Sequence, residues 1–173
     1  MTASLICPGA QWLAHCHSRP GHVQEQWEQT LIAEIPVGIR FDVLSVPQPL
    51  GLTLLLELGE EAEGIPVLEE HVKRPVFHLL VHPGGMDDWP DAPDTAILTQ
   101  GALFAVPSPA ADAIVGAQQH GLLWRTVPDG YGRLADPDTL LAALTRARAP
   151  ERQAARVRAA RSDFWGSRHH PHS

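Results

Sequence analysis

Gly38-Ile39-Arg40-Phe41-Asp42-Val43-Leu44-Ser45-Val46-Pro47 reads as a buried β-strand with one carboxylate at a fixed depth. An acidic side chain inside an apolar run is costly to bury unless it is paired or binds a metal. Asp42 is therefore either a metal-site residue or the remnant of one. Upstream, Ile35 to Val46 is strand-like but broken by Pro36 and Gly38. Downstream, Leu50 to Glu63 has the strongest helical pattern in the chain, with Gly64 as its C-cap. Val76-Phe77-His78-Leu79-Leu80-Val81 reads as a second buried strand, closed by His82-Pro83-Gly84-Gly85.

The remaining elements extend outward from this centre. Short helices are predicted over Ala10 to His17 and Val23 to Ile32, with Trp12, Leu13 and Trp27 facing inward. Pro66 to Leu68, Ala96 to Leu98, Ala102 to Val106 and Leu122 to Thr126 are extended pieces. Asp87 to Asp94 is an acidic, proline-rich loop. Asp136 opens a last helix with Pro137 at its first position and Leu140, Leu141 and Leu144 on its apolar face. Alanine and arginine dominate from 145 to 161, so this helix continues as an exposed one, and Arg168 to Ser173 read as disordered. The alternation gives an α/β or α+β class, a single domain with several strands in one sheet and flanking helices.

The chain has 173 residues, of which 44% are hydrophobic, which suits one domain with a proper core. No run of about 18 apolar residues predicts a membrane span, and no basic segment followed by an apolar one predicts a secretory signal. Cys7 and Cys16 make no disulfide framework, so a cytoplasmic setting is the default. The net charge of −7 is unevenly spread. Residues 1–144 carry six basic against eighteen acidic residues, a balance of −12, whereas residues 145–173 carry seven arginines against two acids, a balance of +5. This divides the chain into a body over 1–145 and an arginine-rich tail over 146–173. Arg146, Arg148, Arg152, Arg156 and Arg158 are the candidates for contacting nucleic acid or a nucleotide, because only the tail attracts phosphate. The alternative is that the tail folds against its own acidic body or an acidic protein partner.

Each candidate for chemistry has a structural alternative. His78 on an apolar strand could meet a phosphate, or be a core histidine with its hydrogen bonds satisfied. Cys7, His15, Cys16, His17 and His22 could hold zinc, but only His17 and His22 have a fitting interval. His169, His170 and His172 would bind metal adventitiously at most. Gly84-Gly85 is a turn rather than a phosphate-binding loop, no serine–histidine–acid set is suggested by local spacing, and Glu60-Glu61 and Glu69-Glu70 are solvated faces. Asp87, Asp88, Asp91 and Asp94 do not have the spacing of an EF-hand.

The order of Cys7 to Leu13, Gly38 to Pro47, Pro66-Val67, Arg74 to Gly84, Gly101 to Pro109, Leu123 to Asp129 and Leu140 to Leu144 resembles the N-terminal domain of bifunctional DNA primase/polymerases, and in particular the short stand-alone prim-pol-like proteins of high-GC actinobacteria. The resemblance covers most of residues 5–145. It implies a prim-pol-like mixed sheet with flanking helices. It further implies a metal-dependent nucleotidyltransferase site with a DxD pair, a histidine and a later acid. Carried onto this chain, Asp42 would be the first metal-binding carboxylate, with Leu44 in place of its partner. His78 would be the histidine, with Pro75-Val76-Phe77 in place of the usual small-residue turn. Asp94 would be the third acid, with Thr95 at about its expected position. Activity would need Mg²⁺ or Mn²⁺. Loss of one metal-binding carboxylate removes several kcal/mol of transition-state stabilisation, and each 1.36 kcal/mol is about tenfold in rate. The resemblance therefore implies a degenerate site, and a binding or adaptor protein ahead of an active primase/polymerase. A template strand also needs a positive groove, which the acidic body does not readily supply.

Overall fold

A computed structural model describes residues 7–92, 94–110 and 118–166. The expected disorder of Arg168 to Ser173 and the terminal histidines lie outside the described residues. Among the described residues the architecture is α+β, with four named α-helices and two antiparallel sheets. The helices are α1 (Pro8–His15), α2 (Pro20–Thr30), α3 (Gln48–Leu58) and α4 (Pro137–Gly166). The strands are β1 (Ile32–Pro36), β2 (Asp42–Pro47), β3 (Val67–Glu70), β4 (Val76–Val81), β5 (Ala96–Leu98), β6 (Leu103–Pro107) and β7 (Leu122–Thr126).

Five strands form the main sheet in the order β5-β2-β4-β3-β7, and β1 pairs with β6 in a separate ribbon. Every named ladder is antiparallel; among the described residues, parallel pairing is confined to the single bridge Val81↔Ala135. The break foreseen at Pro36 and Gly38 separates two sheets. Gly38 turns with φ +94° and donates its N–H to the Phe41 carbonyl at 2.8 Å, so β1 and β2 diverge. A Cβ at Gly38 would lie 2.3 Å from Gln100 Cα, so this crossing also needs a residue without a side chain.

Both faces of the main sheet are covered, which explains why β2 and β4 are near-continuous apolar runs. Val43, Leu68, Leu80 and Trp124 pack with Leu13, Val23, Trp27, Ile35 and Phe104 in the layer formed by α1, α2 and the ribbon. Leu44, Val46, Phe77, Leu79 and Val81 pack with Leu50, Leu54, Leu140 and Leu144 from α3 and α4. Two indoles anchor β6: Trp27 Nε1 of α2 donates to the Val106 carbonyl at 3.0 Å, within that layer, and Trp124 Nε1 of the main sheet donates to that of Pro107 at 2.9 Å.

Several boundaries differ from expectation: β2 begins at Asp42 rather than at Gly38, and the first two helices span Pro8–His15 and Pro20–Thr30 rather than Ala10 to His17 and Val23 to Ile32. The helix expected over Leu50 to Glu63 ends at Leu58 and gives way to a 3₁₀ turn over Gly59–Ala62. Gly59 adopts φ +56° and its N–H returns to the carbonyls of Leu55 and Leu56, which closes the α-helix early. The last helix continues past residue 145, as its alanine- and arginine-rich sequence leads one to expect: it runs for 30 residues through Pro150, and Ala147 is its last buried side chain among the described residues.

Gly51 shows how tightly α3 sits on the sheet: a Cβ there would lie 2.5 Å from Phe77 Cδ2. Gly51→Ala should destabilise the protein by about 1–3 kcal/mol through overpacking. Gly21→Ala on α2, which meets nothing within 4 Å, should be neutral or stabilise by up to about 1 kcal/mol. Chemical denaturation of the two variants checks the contrast.

Candidate functional site

The register of β2 on β4 decides where the candidate groups point. Asp42 pairs with Val81 and Ser45 with His78. Side chains alternate along a strand, so Asp42 is in phase with Leu44 and Val46 on the α3/α4 face. Ser45 and His78 are in phase with Val43 and Leu80 on the α1/α2 face. The two principal residues therefore project from opposite faces of one sheet.

Asp42 is 1% exposed. Its Oδ2 accepts a hydrogen bond from the Gly84 N–H at 2.9 Å, while the buried Oδ1 has no partner. The carboxylate lines a small cleft with Gly38, Gly84, Asp87, Thr99 and Gln100. Burial raises its pKa above the ordinary carboxylate value, the Gly84 hydrogen bond opposes this, and the negative charge of Asp87 adds to the rise. Gly84 thus has a role beyond its turn: it presents a backbone donor to the acid.

His78 is part of a three-residue relay. Its Nδ1 lies 2.7 Å from Ser45 Oγ and its Nε2 lies 2.7 Å from Glu70 Oε2. Burial lowers its pKa against the opposing effect of Glu70, so the neutral ring is favoured. The carboxylate then requires Nε2–H as donor and leaves Nδ1 to accept from the Ser45 hydroxyl. The ring also meets Phe104 edge-on, with centroids 5.4 Å apart. Hydroxyl, imidazole and carboxylate are connected as in a nucleophile–base–acid relay, but Ser45 and His78 are both buried in the sheet. The arrangement satisfies every polar atom of a core histidine. Local spacing gave no sign of it, because Leu68 must stand opposite His78 before Glu70, two residues along, can reach the ring.

Glu70 departs from its reading as a solvated face, and so does Glu69. Glu69 is buried and accepts from Arg125 at 2.8 Å and His71 at 2.8 Å. Burial alone would raise its pKa, but these hydrogen bonds and charges hold it below the usual carboxylate value. Arg125 also lies over the Phe77 ring at 5.3 Å.

Asp94 stands elsewhere. β5 pairs Ala96 with Ser45, so Asp94 lies at the opposite end of β2 from Asp42. Ser45 and Asp42 are themselves about 10 Å apart along the strand, three residues at ~3.3 Å each. Asp94 accepts from Arg148 at 2.6 Å, and Arg148 also contacts the Thr95 hydroxyl. Ser45, Asp94 and Thr95 border one open cleft, from which Asp42 is absent.

The Cys/His set does not assemble. Cys16 donates to the Trp12 carbonyl at 3.3 Å, and burial pushes its thiol up to about 12. His15 Nδ1 contacts the Gln11 carbonyl and His17 Nδ1 accepts from the Arg19 N–H. Among the described residues no three His, Cys, Asp or Glu side chains are grouped to hold a metal ion.

The arginines of α4 fall into two sets. Arg146 pairs with Glu57 at 3.1 Å and Arg148 with Asp94, both within the molecule. Arg152, Arg156 and Arg158 are exposed and make no ion pair among the described residues. None of the described helices is long and apolar enough to cross a membrane.

Two pH dependences follow. The folded-state pKa of Asp42 is raised above 3.8, so its ionised form opposes folding above that raised value and the effect fades as pH falls towards 3.8. Asp42→Asn should therefore stabilise the protein at pH 7–8 by on the order of 1 kcal/mol, with the gain shrinking in acid. The folded-state pKa of His78 is depressed below 6.5, so the unfolded chain takes up the proton first and stability falls as pH drops below 6.5. His78→Gln should flatten that slope in urea titrations between pH 7.5 and 5.5; an unchanged slope would contradict the assignment.

Comparison with protein-family models, curated proteins and solved structures yields no match.

Proposed function

We propose that this chain is a non-catalytic binding or adaptor protein with a prim-pol-like body, and that it meets an anionic partner through the exposed arginines of α4. The observation that supports this reading is the dispersal of the three candidate catalytic groups. Asp42 and His78 leave the sheet on opposite faces, and Asp94 is held by Arg148 at the other end of β2. Two-metal nucleotidyl transfer needs carboxylates converging on ions roughly 4 Å apart.

One observation favours the second reading, an active metal-dependent DNA primase/polymerase. Asp42 Oδ1 is buried without a partner, in a cleft that Asp87 also lines. These are hard oxygen donors of the kind Mg²⁺ or Mn²⁺ takes. With one buried carboxylate and one further acid, the set does not fit a two-ion centre, and His78 is too far round the sheet to join it.

Primer synthesis with Mg²⁺ or Mn²⁺ should stay at background for both the wild type and Asp42→Ala. Heparin retention should be clear despite the net charge of −7, should fall steeply with salt, and should be lost in Arg152→Ala/Arg156→Ala/Arg158→Ala. Metal-dependent synthesis abolished by Asp42→Ala would overturn the adaptor reading in favour of the enzyme.

A further inference from the structure

The outer part of α4 cannot account for its own stability. All the described side chains from 151 to 159 are exposed, and Pro150 removes one helical hydrogen bond at the point where the helix leaves the body. Arg148, Arg152 and Arg156 follow one another at i, i+4 and i+8, a like-charge stripe that disfavours an isolated helix. Residues 151–166 extend about 24 Å at 1.5 Å per residue. Helices of this kind draw most of their stability from a surface they pack on.

The body carries a surface of matching character. Leu52 and Leu56 are 39% and 81% exposed on the outer side of α3. Glu60 and Glu61 in the adjoining 3₁₀ turn, and Glu63 just after it, are exposed and without ion pairs among the described residues. The molecule already joins these two elements once, through Arg146 and Glu57. Arg152, Arg156 and Arg158 pair with no carboxylate among the described residues, while Val157, 45% exposed, offers an apolar contact beside them.

We infer that the outer half of α4 docks on the α3 face of a second copy of this chain. Arg152 and Arg156, which share one face of the helix, would meet Glu60, Glu61 and Glu63, with Arg158 at the rim, and Val157 and the neighbouring alanines would cover Leu52 and Leu56. This names the partner in the reading above and rests on α4 being the contact element. A two-fold arrangement makes the contact twice and cancels the charge asymmetry between body and tail. A nucleic acid would neutralise the same arginines but would have to lie beside a body of net charge −12.

Sedimentation velocity over a concentration series of the full chain tests the inference. A dimer is expected at low salt, weakening by at least about tenfold in Kd when salt is raised well above physiological strength. Arg152→Glu/Arg156→Glu/Arg158→Glu should be monomeric, and so should Glu60→Arg/Glu61→Arg/Glu63→Arg. Mixing the two should restore a heterodimer, because each acidic tail then faces a basic surface and the converse. Neither triple variant alters a buried residue, and circular dichroism confirms that each is folded. A wild type that stays monomeric at all concentrations, or a dimer that survives tail reversal, overturns the inference. If that monomer still binds a fluorescent single-stranded oligonucleotide through Arg152, Arg156 and Arg158, the adaptor reading stands and the partner is nucleic acid. If it binds neither oligonucleotide nor heparin, both readings fail.

Discussion

The antiparallel pairing of β2 with β4 is the constraint on which the rest of the molecule depends. These two strands lie at the centre of the main sheet with Asp42 opposite Val81 and Ser45 opposite His78. Because successive side chains point to opposite faces, that register sorts every residue of both strands into one of two cores. A slip by one residue would turn Leu44, Val46, Phe77 and Leu79 away from α3 and α4. It would also place Asp42 in the layer occupied by Leu13 and Trp27. With apolar layers on both faces, neither strand has a solvent side to which a misplaced group could be moved.

Polar groups inside such a sheet must be satisfied where they stand, and each solves the problem differently. His78 is bracketed by a hydroxyl and a carboxylate. Glu69 is neutralised by Arg125, with Phe77 beneath the guanidinium. Asp42 is only half satisfied, with one oxygen on the Gly84 amide and the other bare. That asymmetry separates it from the other two: His78 and Glu69 are finished structural networks, whereas Asp42 keeps one buried acceptor oxygen unpartnered beside a cleft. An unmet buried acceptor costs on the order of 1–3 kcal/mol, so Asp42 is, among the described residues of the sheet, the buried polar group that packing does not explain.

The charge distribution follows the same division between satisfied and unsatisfied groups. Arg146 and Arg148 fasten the inner part of α4 to the body through Glu57 and Asp94. Beyond Ala147 no described side chain of the helix is buried, and Arg152, Arg156 and Arg158 make no ion pair among the described residues. The protein is thus a closed acidic domain with an open basic extension.

The amino-acid sequence alone determined the class of fold, both central strands and the start of the last helix. Val76 to Val81 and Leu122 to Thr126 are legible because apolar runs between turn residues carry their own boundaries. Pro137 likewise marks the start of α4. The sequence also located Asp42 as the anomalous acid and α4 as the basic element. It could not reveal that Glu70 reaches His78, that Gly84 caps Asp42, or that Asp94 answers to Arg148, since these partners are 8, 42 and 54 residues apart along the chain. Nor could it tell that Asp42 and His78 face opposite layers. That depends on strand register, which local residue patterns leave open and only the packing of both cores decides.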